Sequence, residues 1–246
     1  MNTTQFRLHG KLNDFVPPVR RRRFFEYKYR GTPAVKDAVE SLGVPHTAVD
    51  IIIADGLSVD FDYRLQPGAE IDIYPRGCVS SAENVINLRP PPLSHHAFIL
   101  DVHLGKCAGN LRLLGFDSLY RNDYRDHEII RIGLAEDRII LTRDLGILKN
   151  GAVRRGYWLR SQNPLIQCRE VIEEFDLEEW IKPFTRCLDC NGLLEAVEKE
   201  KIKLRLEPKT RRYYRDFKIC RGCGKLYWRG SHWRALQKKI RRLTAW

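Results

Sequence analysis

Between residues 97 and 144 the apolar positions come in short runs that end on acids. Ala97-Phe98-Ile99-Leu100 leads into Asp101, and Ile139-Ile140-Leu141-Thr142-Arg143 leads into Asp144. Between these runs, Leu104, Ala108, Leu111 and Leu114 recur at helical spacing and Gly115 supplies a stop. Phe116 to Tyr120 reads as a second strand. A further helix opens near Asp126, carries Ile129, Ile132 and Gly133 inward, and ends around Asp137. Strand, helix, strand, helix, strand with short connections predicts an α/β fold with a parallel, doubly wound sheet. Gly105 and Gly109, four apart, predict a bare helix face able to approach the sheet closely.

Residues 1–75 carry a different pattern. Phe6 and Leu8 alternate in a strand, Phe24 to Tyr29 form another, and Ala34 to Leu42 give a short helix ending at Gly43. Val49 to Ala54 and Leu57 to Phe61 flank Asp55-Gly56, a hairpin turn, and Glu70 to Tyr74 closes the set. This order predicts a β-grasp, ubiquitin-like domain. Residues 76–96, with Pro90-Pro91-Pro92, read as an extended linker to a main domain over 97–182 and a small module over 183–246. The Arg20 to Arg23 run reads as a solvated loop, since the net charge of residues 1–90 is only +1.

Open parallel sheets bind ligands at the carboxyl ends of their strands. If the strands ending at Asp101 and Asp144 are neighbours, both carboxylates emerge at one edge. Asp123 and Asp126, between the second strand and the next helix, belong to the same edge. Crowded carboxylates repel unless a cation compensates. Oxygen ligands suit Mg²⁺ or Mn²⁺, and such an ion favours phosphodiester hydrolysis. The plainer alternatives are an N-cap for Asp126, a solvent-facing Arg143, and ordinary surface roles for His103 and His127.

Cysteine spacing adds a second chemistry. Cys187-Leu188-Asp189-Cys190 and Cys220-Arg221-Gly222-Cys223 are knuckle pairs that together offer four thiolates to a structural Zn²⁺. The odd count of seven cysteines and a Met1 to Gln5 start without an apolar leader favour metal over disulfides, in a reducing, cytoplasmic setting. No run approaches bilayer-spanning length, so no membrane role is expected. Cys107 and Cys168 fall in helical patterns and read as small core residues.

Charge identifies the polymer. Residues 181–246 hold 19 Lys and Arg against six acids, a net +13 that accounts for the whole chain's +12. Arg211, Arg212, Tyr213 and Arg215, and then Trp228, Arg229, His232 and Arg234, interleave cations with aromatic rings. Cations neutralise phosphates and rings stack on unpaired bases, which points to RNA. The competing role for Trp228 and Trp233 is to cover the zinc core.

Several of these motifs occur together in one order: Asp101 with Leu104-Gly105-Lys106, Leu111-Arg112-Leu113-Leu114-Gly115-Phe116-Asp117, Leu141-Thr142-Arg143-Asp144, both cysteine pairs and Tyr227-Trp228-Arg229-Gly230-Ser231-His232. In this the chain resembles the mut-seven C-terminal RNase family, a PIN-like nuclease domain fused to a zinc ribbon. Similar bacterial members carry an N-terminal β-grasp domain related to sulfur carriers. The resemblance implies a metal-dependent ribonuclease whose acidic site falls on Asp101, Asp144 and either Asp126 or Asp123. Arg125 and His127 interrupt the acidic run that the family usually has there. The chain also runs on through Pro75-Arg76-Gly77-Cys78 where a sulfur carrier ends in Gly-Gly, so the β-grasp reads as a protein-docking or RNA-guiding module. The expected function is a Mg²⁺- or Mn²⁺-dependent endoribonuclease. The rival is a non-catalytic RNA- or ribosome-binding factor with a weakened pocket.

Overall fold

The structure is a computed structural model and describes residues 1–78, 84–91 and 96–244. Parts of the expected linker, 79–83 and 92–95, lie outside the described residues. The chain divides into two compact units, Met1–Ser94 with Gly133–Trp158 and His95–Ile132 with Leu159–Trp246.

The first five strands are β1 (Asn2–Leu8), β2 (Phe25–Tyr29), β3 (Ile51–Ala54), β4 (Leu57–Val59) and β5 (Glu70–Tyr74), with helix α1 (Val35–Ser41) between β2 and β3. They form one sheet in the order β2-β1-β5-β3-β4, with β1 and β5 parallel and the other pairs antiparallel. Alternation along β1 buries Thr4, Phe6 and Leu8, and Phe6 and Leu8 join Ile52, Ile71 and Ile73 and the inner face of α1 at Val35, Ala38 and Val39. Asp55 and Gly56 both adopt positive φ, 47° and 82°, as the tight hairpin turn requires. This is the β-grasp arrangement.

The described stretch 84–91 lies against this sheet. Leu88 donates its NH to Asp50 O at 2.7 Å and packs on the domain's core, while Arg89 NH reaches Asp50 Oδ1 at 3.2 Å.

The next elements are β6 (Ala97–Leu100), α2 (Gly105–Leu114), β7 (Asp117–Leu119), α3 (Asp126–Ala135), β8 (Ile139–Thr142), α4 (Leu145–Lys149), β9 (Gly156–Trp158) and α5 (Pro164–Glu174). β6 pairs with β7 in parallel and β8 with β9 in parallel, and β6 and β8 are buried at every position. Parallel strands covered on both faces read as continuous apolar runs. α2 stops at Gly115, whose φ of +100° and close approach to Lys182 O leave no room for a side chain. The expected bare face of α2 is only half right. A Cβ on Gly105 would stand 2.8 Å from the Tyr120 ring, whereas Gly109 has nothing within 4 Å.

Within the first unit the β-grasp domain meets the β8–α4–β9 segment. His46 bridges Glu40 Oε1 at 2.7 Å and Val153 O at 2.8 Å, Lys149 donates to Glu40 O, and the Phe15 ring lies 4.9 Å from Trp158.

The carboxyl-terminal module comprises β10 (Leu194–Val197), α6 (Lys199–Ile202), α7 (Pro208–Tyr213), β11 (Phe217–Cys220), β12 (Leu226–Trp228) and α8 (Ser231–Thr244). Its antiparallel sheet runs β10-β11-β12 over a small core of Ile202, Leu206 and Phe217. Along α8, Leu243 is fully buried and Leu236 and Ile240 half-buried, and the helix packs against α5 and α2. Among the described residues no helix is long and apolar enough to cross a membrane.

Candidate functional site

Asp144 follows β8 at its carboxyl end and caps α4. Its Oδ1 accepts from Gly146 NH at 2.7 Å, and its own NH donates to the buried Thr142 Oγ1 at 2.8 Å. The residue is exposed, and its Oδ2 has no partner among the described residues. Arg143, also exposed, accepts a hydrogen bond at its carbonyl from Trp158 Nε1 at 3.3 Å. Trp158 is held in turn by Phe15, so an aromatic pair borders the Asp144 turn. Sequence reasoning missed this pair; the only local signal is that Trp158 ends a strand registered against Thr142.

Asp101 follows β6 and is only 5% exposed. It heads the single turn Val102–Leu104, accepting the Leu104 NH at its backbone carbonyl, while its side chain does not cap that turn. Tyr120 pins the turn by donating to Val102 O at 2.9 Å.

The acids after β7 differ. Arg121 clasps Asp123 through both carboxylate oxygens, at 2.9 and 2.7 Å, and this hydrogen bonding holds the Asp123 carboxyl below its ordinary range. Asp126 is exposed on the first turn of α3. It is already helical and so does not occupy the N-cap position; Arg125 precedes the helix, and Glu128 reaches back to accept the Arg125 NH at 2.9 Å.

The four cysteines converge, with all four Sγ atoms within 4.8 Å of one another. Cys187 lies 3.7 Å from Cys223, and Cys190 lies 3.3 Å from Cys220. Among the described residues they are the one such group of three or more metal-ligating side chains, and it includes none of Asp101, Asp123, Asp126 or Asp144. Four thiolates at this spacing can hold zinc. Burial pushes the Cys220 thiol up, but amide NH groups from Cys223 and Gly222 and the Cys190 thiol bring it down to about 7. A Cβ on Gly192 would stand 2.9 Å from Cys220 Sγ, so that turn needs glycine. Tyr227 accepts the Leu188 NH at 3.1 Å, which directs its hydroxyl proton to Cys187 Sγ, also 3.1 Å away. Tyr227, rather than Trp228 or Trp233, is the ring that supports the cluster.

The first knuckle is anchored by a buried cation. Arg112, 5% exposed, donates to Ser118 O, Leu188 O and Asp189 O at 2.9, 3.1 and 2.8 Å. Asn191 accepts the Ser118 NH and donates to Asp117, which also pairs with Arg186 at 3.2 Å. The Leu111-to-Asp117 motif therefore serves the cysteine module. Arg112→Leu leaves three carbonyls with lost partners and is expected to cost about 3 kcal/mol. Thermal unfolding and zinc content of the purified variant check this, and Arg112→Lys, which lacks the planar fork, is expected not to rescue it.

The expected RNA-contacting residues divide. Arg215, Trp228, Arg229 and His232 line one groove of the ribbon, whereas Arg211, Arg212 and Tyr213 are exposed on α7 and Arg234 is exposed on α8, outside that groove. The sequence reading missed Phe184, Lys199 and Lys218 in its lining.

Comparison with protein families matches residues 96–240 to the Mut7-C RNAse domain. The chain belongs to the Mut7-C RNAse family. Residues 1–79 of this Mut7-C protein match the Mut7-C ubiquitin domain, in agreement with the β-grasp sheet. Neither the curated proteins nor the solved structures give a match. The Mut7-C domain indicates a nuclease-type function with RNA as its substrate class.

Proposed function

We propose that this Mut7-C protein is an endoribonuclease hydrolysing RNA phosphodiester bonds at a Mg²⁺ or Mn²⁺ site held by Asp101 and Asp144. Zinc in the cysteine cluster keeps the basic ribbon folded to bind RNA. The observation that carries the reading is the Asp144 carboxylate, fixed through Oδ1 at the end of a buried parallel strand with Oδ2 left without a partner among the described residues. Asp101 is the second proposed ligand, placed directly after the buried strand β6 and itself only 5% exposed.

The donor chemistry fits a hard cation. Mg²⁺ is commonly held by one or two carboxylates, with water and substrate phosphate completing its shell, so a third protein acid is not required. Such an ion supplies charge to a phosphoryl oxygen and lowers the pKa of bound water. The chain's own contributions are positional. Gly146 orients Asp144, Tyr120 holds the Asp101 turn, and Phe15 with Trp158 gives the Asp144 side an apolar wall. Since Arg121 occupies both oxygens of Asp123, the assisting role goes to Asp126.

The Arg121–Asp123 pair is also what favours the rival reading, a non-catalytic RNA- or ribosome-binding factor. One assay separates them. Protein freed of loosely held divalent ions is expected to leave single-stranded and structured RNAs intact, and to cleave them when Mn²⁺ is restored. Tight binding without cleavage in every condition selects the binding factor. A reducing cytoplasmic compartment, where the thiols stay available to metal, accords with this proposal.

A further inference from the structure

A groove of about 760 Å³ opens on the ribbon, lined by all three of its strands, by Pro183 and Phe184, and by the first turns of α8. Its aromatic faces are ordered but not sealed. Phe184 and Trp233 stack at 3.9 Å and 24°, the Arg229 guanidinium sits 5.4 Å from the Trp233 ring, and Trp228 leans on Phe217 while remaining 39% exposed. Five cationic residues line the groove, Lys199, Arg215, Lys218, Lys225 and Arg229, against only Glu198 and Asp216. The Cys₄ cluster does not use these tryptophans, since Tyr227 is the ring against Cys187.

We propose that this groove is a stacking site for one or two unpaired ribonucleotides, their bases against Trp228 and Trp233 and their phosphates on Arg215 and Arg229. The proposal rests on the reading that RNA is the polymer held, and it adds that the strand is single where it crosses the ribbon. An apolar floor with a cationic rim is complementary to a base attached to a phosphate. A duplex keeps its base faces stacked within itself and cannot offer them. The volume lies within the range of about 300–1,000 Å³ found for small-ligand sites. The net +13 of residues 181–246 supplies the longer-range attraction.

The test uses the full chain carrying Asp144→Asn, without Mg²⁺ or Mn²⁺, so that binding is read apart from cleavage. A single-stranded oligoribonucleotide is expected to quench tryptophan emission and to bind more tightly than the duplex of the same sequence. Trp228→Ala is expected to weaken single-strand binding about tenfold, with zinc content and salt dependence unchanged, and Trp228→Tyr is expected to restore most of it. Arg215→Gln combined with Arg229→Gln is expected instead to flatten the salt dependence by about one to two. Duplex and single strand binding equally, or Trp228→Ala binding as the parent does, overturns the proposal; the second result is what a groove made for an acidic protein segment would give. If Trp228→Ala does not fold, photocrosslinking of the unsubstituted chain to iodouridine-containing RNA decides. Crosslinks at Trp228 or Trp233 support the site, and crosslinks confined to residues outside the groove overturn it. Single-strand selectivity, together with no Mn²⁺-dependent cleavage by the chain that retains Asp144, sinks the nuclease reading and leaves the groove standing; cleavage by that chain with unaltered Trp228→Ala binding does the reverse.

Discussion

Asp144→Asn is expected to fold like the parent and to cleave RNA at least about a hundredfold more slowly. The substitution is informative because asparagine caps helices as well as aspartate does. Its side-chain oxygen still accepts the Gly146 NH, so α4 keeps its start and the Thr142 contact to the residue 144 amide is untouched. What disappears is the charge at Oδ2, the atom available to an ion. Asp101→Asn removes the same charge from the end of β6 without disturbing a cap, and a loss of similar size is expected. Circular dichroism and melting curves matching the parent, with Mn²⁺-dependent cleavage lost in both variants, is the outcome that supports the site. Undiminished cleavage in either variant removes that residue from it. Asp123→Asn separates the candidate acids. Because Arg121 already holds both its oxygens, cleavage is expected to fall by less than about threefold, far short of the loss expected at Asp144.

Features set by local geometry were legible in the sequence. The Asp55-Gly56 turn, the Gly115 stop, the two buried runs ending at Asp101 and Asp144, and the paired cysteine knuckles each depend on residues within a few positions of one another. The residues that escaped are those whose partners lie far along the chain. Arg112 looks like an ordinary polar position on a helix until the knuckle at Leu188 and Asp189 arrives, more than seventy residues later, to accept its protons. Tyr227 looks like one more ring in a basic aromatic run, yet its hydroxyl faces Cys187. Phe15 and Trp158 are likewise brought together only by tertiary packing.

Glycine spacing shows the same divide. A helix pattern reveals that Gly105 and Gly109 share a face, but not which of them meets a neighbour; Tyr120 fills the space over Gly105 and leaves Gly109 open. Residues 76–96 read as an extended linker from their prolines, and that pattern does not reveal that Leu88 packs against the core of the β-grasp domain. The acids between β7 and α3 carry the same lesson into the candidate site. Asp123 and Asp126 are equivalent in a linear reading, and only the position of Arg121 and the reach of Glu128 separate a neutralised carboxylate from one left on the first turn of the helix.

The second large effect is expected at the cysteine cluster. Cys220→Ser or Cys187→Ser should abolish retention of about one zinc ion per chain and unfold the ribbon while leaving the β-grasp sheet intact. The ribbon's own core is only Ile202, Leu206 and Phe217, with Val197, Tyr214 and Leu226 packed around it. So small a core cannot by itself order the excursion between the two knuckles, and small modules of this kind draw their folding energy from metal. Serine keeps the shape of cysteine but not an easily ionised thiol, so the donor set loses one of its four charges. Cys220 is the more sensitive choice because amide NH groups from Gly222 and Cys223 already converge on its sulfur, and it is the thiol brought down to about 7. Loss of the ion also frees the knuckle that Arg112 grips, so the expected damage extends to the end of α2. Elemental analysis of the purified chain, followed by limited proteolysis, reads both consequences. A parent protein that carries no zinc after purification without chelators, or a Cys220→Ser variant that keeps zinc and resists cleavage across residues 187–230, excludes metal as the element that holds the ribbon together.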